Sequence, residues 1–457
     1  MRKHYINILK YTILLINSVF LFKVDASNLS GNSSIDSKIN ELLKKHPEVS
    51  LKFLESKEKE FRSKHADVYP DPKIGFAYRS YPYRSGFDTD RAKPDTPSMT
   101  GKEYSISQEI PFPGRLNLEK QILKNDSELD YWSGVWIQNE FIRTYFELVL
   151  SVAAIERELN DLQNIEKQLN TKVKLESSQY VSEQFKLSNV LKTKNQMERI
   201  KDRVIEKTIT LNELRQSLDF YSMSIGSSSI TEEEIISYLT KKESKIEREL
   251  SVDSLSKFPL IQYAEVNQTK AVVESKKDEI LHLPDFEVFV SYMQRRRKPF
   301  LLDSGPLNLA IMDNPEFAGD LWSAGVTIRV PVWSLSKVNE LNQSNAIKVM
   351  RLQKEKEKER LRLKTEYQAT IESWLGNKQR LENYRNNLLP SFQKNIKSSL
   401  SSYAKGDSVL GESYDFIAES LEVQSQVHQI QFKRWSSVLK LLQLTNHLLP
   451  EGENHEG

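Results

Sequence analysis

A duplication constrains this chain more than any other feature. "HPEVSLKFLESKEKEFRSKHADVYPDPKIGFAY" (46–78) returns as "FPLIQYAEVNQTKAVVESKKDEILHLPDFEVFVSY" (258–292). Pro47 matches Pro259 at an offset of 212. Pro70-Asp71 matches Pro284-Asp285, and Tyr78 matches Tyr292, at an offset of 214. Ile110-Pro111-Phe112 matches Val330-Pro331-Val332 at an offset of 220. So small a drift points to one supersecondary unit built twice, with short loop insertions. Each copy reads helix, Pro-Asp corner, strand, loop, strand, Pro corner, long helix pair.

Within each unit the strands alternate. Ile74, Phe76 and Tyr78 share one face, and Gly75, Ala77 and Arg79 share the other. Phe286, Val288, Val290 and Tyr292 fall together. So do Ile106 and Ile110, and so do Val326, Ile328, Val330 and Val332. Opposite these lie Ser105, Ser107 and Glu109, then Thr327 and Arg329. Period-two alternation of this kind gives a strand with one apolar and one polar face. The strands are expected at about 73–83, 101–112, 286–294 and 322–333. Pro111, Pro113, Gly114 and Pro331 form the corners, because proline donates no ladder hydrogen bond. Long segments rich in Pro, Gly and charge follow the first and third strands and are expected to be loops.

The other half of each unit is helical. From Leu116 to about Ser177 there is no proline and a single glycine, Gly134. Val152, Ile155, Leu159, Leu162, Ile165, Leu169 and Val173 recur at three- and four-residue steps, the mark of a coiled-coil seam. Glu183–Tyr221 continues the pattern. The second unit predicts a rising helix over 335–400, striped by Tyr367, Ile371, Trp374, Leu381 and Tyr384 and kinked at Pro390. A descending helix is expected over about 412–449. Residues 226–256 read as a linker with a short helix capped near Thr231. The expected organisation is residues 1–26 as a signal peptide, a first repeat over 27–225, the linker, a second repeat over 257–449, and a tail.

The N-terminus supports export. Arg2, Lys3 and Lys10 precede the apolar run "YTILLINSVFLF", and Ala26 offers a small residue for cleavage. An N-terminal anchor is the alternative reading. Against it, about 12 apolar residues fall short of the ~20 that a spanning helix needs. The net charge is +2, from 65 basic and 63 acidic residues, which gives no electrostatic bias toward nucleic acid. Arg295–Arg297 lies at a strand end without interleaved aromatics, so contact with lipopolysaccharide or with solvent fits it better than nucleic acid. There is no cysteine, and the seven histidines form no ligand spacing. No nucleophile–base pair or phosphate loop is present, so an enzyme, a cofactor and a metal centre are not expected.

Four half-apolar strands cannot close a barrel, and their edges would stand open. Strands of about ten residues match an outer membrane's thickness. Several copies contributing four strands each would resolve both problems. Here "YPDPKIGFAY", "SISQEIPFPGRLNLEKQ", "LPDFEVFVSY", "AGVTIRVPVWSLSKVNEL" and the two-half layout resemble the TolC-like outer-membrane efflux family, over about residues 32–449. The resemblance implies a mainly α fold with a membrane β-barrel part: a homotrimer with a 12-stranded β-barrel and a periplasmic α-barrel. It implies a passive conduit, lodged in outer-membrane lipid, that meets a periplasmic adaptor and an inner-membrane pump such as an RND or ABC transporter. An envelope coiled-coil protein without transport is the rival reading.

The resemblance also assigns roles. The helix-pair tips would contact the adaptor through Gln179, Tyr180, Val181 and Ser182, and through Gly406, Asp407, Val409, Leu410 and Gly411. Asp407, Glu412, Asp415 and Glu183 are candidates for a periplasmic constriction, since in a trimer each acid becomes a ring of three. Ser105, Ser107, Glu109, Thr327 and Arg329 would line the barrel lumen, where Glu109 and Arg329 either tune selectivity or pair with each other.

Overall fold

The computed structural model describes residues 33–80, 100–181, 187–222, 230–249, 258–295, 299–303, 309–313, 319–404 and 410–450. The chain is mainly helical, with one antiparallel four-stranded sheet. The first repeat holds α1 (Ser33–Lys45), α2 (Pro47–His65), β1 (Lys73–Arg79), β2 (Gly101–Ile110), α3 (Arg115–Val181) and α4 (Leu187–Ser222). The linker helix α5 spans Glu232–Glu249. The second repeat holds α6 (Pro259–Glu279), β3 (Asp285–Arg295), β4 (Pro299–Asp303), β5 (Leu309–Asp313) and β6 (Leu321–Arg329). It continues with α7 (Val332–Leu335), α8 (Val338–Asn383), α9 (Leu389–Ala404) and α10 (Leu410–Leu444). With 67 residues, α3 is about 100 Å long at 1.5 Å per residue.

The sheet runs β1-β2-β3-β6, so its centre joins the two repeats and its edges are β1 and β6. The register reproduces the sequence offsets. Lys73 pairs with Ser107, and their counterparts 214 and 220 residues on, Glu287 and Thr327, also pair.

Several boundaries differ from expectation. β2 stops at Ile110 and β6 at Arg329, so Phe112, Val330 and Val332 lie outside the ladder. The prolines act one step earlier than expected, and Val332 already opens the turn of α7. β1 ends at Arg79; residues 81–99, where its expected end falls, lie outside the described residues. The segment after β3, expected to be a loop, contains the hairpin β4–β5. Its apolar runs "PFLLD" and "LAIMD" are too short to carry a visible period.

Helix ends follow local chemistry. Thr231 and Glu234 cap α5 reciprocally: the Thr231 N–H donates to Glu234 Oε2 at 2.9 Å, and the Glu234 N–H donates to Thr231 Oγ1 at 3.4 Å. Before Pro390 the chain makes a π turn over Tyr384–Leu388, and the Leu389 N–H bonds the Tyr384 carbonyl. Proline has no N–H and crowds the preceding turn, so the ladder widens there rather than breaking.

The core is a belt around mid-molecule. Ile39 and Leu42 of α1, Phe141 to Leu150 of α3, Ile235 and Leu239 of α5, Leu363 and Trp374 of α8, and Val438 to Leu444 of α10 meet in one cluster. Here α5 is part of the packing. Glu243 accepts from Trp374 Nε1 at 2.7 Å and from Arg434 Nη2 at 2.6 Å, tying α5 to α8 and α10. A second, smaller cluster of Leu162, Ile165, Leu169 and Met197 holds α3 to α4, on the seam expected from spacing.

Candidate functional site

Two faces of one sheet, and the corner beneath it, form the candidate site. Register decides the faces. On the outward face a row of rings crosses all four strands: Phe76, Tyr104, Tyr292 and Trp322 are successive partners. Their centroids lie 5.2, 6.5 and 5.0 Å apart. Below this row come Ile74, Ile106, Val290 and Ala324, then Gln108, Val288 and Val326, then Ile110, Phe286 and Ile328. Among the described residues most of these side chains are left uncovered: Ile74 is 85% exposed, Trp322 73% and Val326 60%.

The opposite face is polar and internally paired. Ser105, Ser107, Glu109, Thr327 and Arg329 share it, as the alternation predicts. Ser107 Oγ donates to Glu287 Oε1 at 2.7 Å, Lys73 Nζ pairs with Glu109 at 3.4 Å, and Arg79 pairs with Glu103. Glu109 therefore takes Lys73, not Arg329. Phe289 also lies on this face, over Gly325, where a Cβ would meet its ring at 2.7 Å.

The corner is bolted by a residue that sequence reasoning missed. Arg115 Nη1 bonds both carboxylate oxygens of Asp285 at 2.6 Å, and Nη2 bonds the carbonyls of Ile280 and Leu283 at 3.2 and 3.1 Å. Asp285 also accepts the Phe112 N–H at 2.9 Å. Gly114 makes the approach possible: its φ of +94° is a conformation that side chains disfavour. The arginine thus fixes the first repeat's exit helix to the second repeat's entry strand. Proline at both corners, Gly114 at the first, and the aspartates of the two Pro-Asp turns were the available signal; the arginine has no repeat, since Leu335 stands at its counterpart position.

At the far end, α3 ends at Val181 and α4 starts at Leu187. Tyr180 and Val181 are exposed, the latter by 83%. Ser182 and Glu183 lie outside the described residues, as do Gly406, Asp407 and Val409. Gln179, Leu410, Gly411 and Glu412 fall on helix backbone. Asp415 is held at 2.5 Å by Lys172 of α3, whose ammonium also lies 3.9 Å from Glu176.

Charges recur along the helical seam. Asp161 Oδ2 lies 3.3 Å from His428 Nε2. Burial pushes the Asp161 carboxyl above the usual carboxylate range and the His428 imidazole below its usual one. Lys207 approaches Glu158 beside them at 3.1 Å. Among the described residues no cluster of three or more metal-ligating side chains occurs. None of the described helices is long and apolar enough to cross a membrane.

The same architecture occurs in solved structures. The Campylobacter jejuni CmeC outer membrane channel aligns with a TM-score of 0.66 at 10% identity, over 95% of this chain and 92% of that one. The outer membrane protein VceC of Vibrio cholerae aligns at 0.62 and 11% identity, over 90% and 95%. The open-state Neisseria gonorrhoeae MtrE outer membrane channel aligns at 0.59 and 10%, over 94% and 95%. No family model matches the sequence, and no curated protein matches it. The chain shares the fold of these channels along nearly its whole described length.

Proposed function

We propose that this chain is one protomer of a homotrimeric outer-membrane conduit, the exit duct of a tripartite efflux or export system. One observation carries the reading: a four-stranded sheet whose apolar face is largely uncovered among the described residues, with a polar, ion-paired face behind it. Bare apolar area of this extent on strands calls for an apolar surround, and an aromatic row above aliphatic rows matches the lipid face of an outer-membrane barrel. Open edges on β1 and β6 call for further strands. Three copies would supply twelve. The polar face would then line the pore, with Ser105, Ser107, Glu109, Thr327 and Arg329 toward the lumen, and α3, α4 and α8–α10 would continue the wall through the periplasm.

The exposed Tyr180 and Val181 suit the docking of a periplasmic adaptor's helical hairpin. An inner-membrane pump of the RND or ABC class would supply the energy, and the tips would open by movement of rigid helices. The duct itself needs no catalysis. The test is conductance of the purified chain in a planar bilayer. Stepwise single-channel currents are the expected result. A chain that stays a monomer in water and gives no steps would favour the structural coiled-coil reading.

A further inference from the structure

From the internal repeat we infer the register and the closing ion pair of the seam between copies, an inference that rests on the conduit reading above. Second-repeat elements have neighbours on both sides: α6 and α10 each pack against α3 and α8, and β3 pairs with β2 and β6. Their first-repeat counterparts are half-covered. α2 and α4 pack on α3, and β1 pairs with β2. The uncovered side of α2 carries exposed Leu51, Leu54 and Phe61, and that of α4 carries Ile205 and Ile209. α8 in turn leaves Ile347, Met350 and Leu361 exposed. What the first repeat lacks is thus what the second repeat of another copy offers.

The offsets convert this into residue pairs. Within the chain, Gln108 lies opposite Val288 and Ile106 opposite Val290. Moving β2 residues forward by 220 gives Ile328 and Val326 of β6. Moving β3 residues back by 214 gives Ile74 and Phe76 of β1. Across the seam, then, Ile328 faces Ile74 of the neighbouring copy, and Val326 faces its Phe76. Arg329 falls opposite Lys73, with Asp71 two residues further along the same face.

Charge then distinguishes this seam from the internal one. Asp71 is the counterpart of Asp285, but the arginine that holds Asp285 is replaced by Leu335. Among the described residues neither Asp71 nor Arg329 has an ionic partner, and both are exposed. Diagonal neighbours across antiparallel strands lie about 7–8 Å apart, within an arginine's reach. Arg329 of one copy therefore pairs with Asp71 of the next, while Lys73 stays with Glu109.

The chain's lack of cysteine makes the test clean. Four double variants are oxidised in the membrane: Ile74→Cys with Ile328→Cys, Phe76→Cys with Val326→Cys, and the swapped pairs Ile74→Cys with Val326→Cys and Phe76→Cys with Ile328→Cys. The first two are expected to give covalent dimers and trimers on a non-reducing gel. The swapped pairs are expected to give several-fold less, because a disulfide does not span much beyond 7 Å between Cα atoms. Cross-linking through the swapped pairs instead would overturn the register while leaving the trimer standing. Absence of cross-links in all four, with a chain that sediments as a monomer, would overturn the conduit reading as well. For the ion pair, Arg329→Asp or Asp71→Arg alone should cut the heat-resistant trimer about fivefold. The double exchange should restore it; a double variant no better than the singles would refute the pair.

Discussion

The belt and the sheet use the same side chains to opposite ends. In the belt, Leu439, Leu239 and Ile142 are wholly buried, each covered by helices of the same chain. On the sheet, Ile74, Val326 and Ile328 stand more than half exposed. Burial of a large apolar side chain is worth roughly 1.5–3 kcal/mol. The belt collects that within the chain. The sheet leaves it uncollected on its apolar face, where among the described residues no second layer covers it. On the proposed function, the difference separates what a single chain completes from what lipid and further copies would complete.

The largest expected effect lies in the belt. Trp374→Ala should cost about 3–5 kcal/mol, because it opens a cavity and removes a hydrogen bond to Glu243. Chemical denaturation would register this in detergent and in bilayers alike. The sheet should behave otherwise. Val326→Arg should cost roughly 2–4 kcal/mol where the face meets hydrocarbon, and close to nothing where it meets water. Membrane yield of heat-resistant trimer, with helical content checked by circular dichroism, separates the two. Equal tolerance in both settings would break the contrast.

Arg115→Gln comes next, at about 2 kcal/mol, since it strips a partly buried carboxylate of its charged partner. Protease cleavage near the corner should rise while the belt's unfolding transition is unchanged. The smallest effect is a pH dependence at the belt's edge. His46 packs 4.2 Å from the Phe141 ring centroid, and burial holds its imidazole below the usual 6.5, against an opposing pull from Glu48. The unfolded chain therefore binds the proton more readily, and stability is lost as pH falls below about 6.5. The thermal midpoint should drop on acidification, and drop less in His46→Gln.

Much of this contrast was legible in the sequence. Alternation named both faces of the sheet, and three- and four-residue spacing found the α3 seam through Leu159, Leu162, Ile165 and Leu169. The offsets 214 and 220, read from prolines and tyrosines, carry the β1–β2 register onto that of β3–β6. What was not legible depended on contacts between distant segments. Arg115 and Asp285 are 170 residues apart, and nothing local marks one as the other's partner. The linker's place in the core likewise depends on Glu243 meeting Trp374 and Arg434. Pro390 foretold a disturbance but not its form, a π turn. The β4–β5 hairpin escaped because five-residue runs between charges resemble loop.

The central claim is that the sheet's outward face lies against hydrocarbon. Trp322, 73% exposed in the ring row of that face, reports on it directly. In vesicles of lipids brominated along the acyl chains, part of the tryptophan fluorescence should be quenched, and that part should shrink in a Trp322→Phe variant. Quenching that is absent from the natural chain, or unchanged in the variant, would contradict the account.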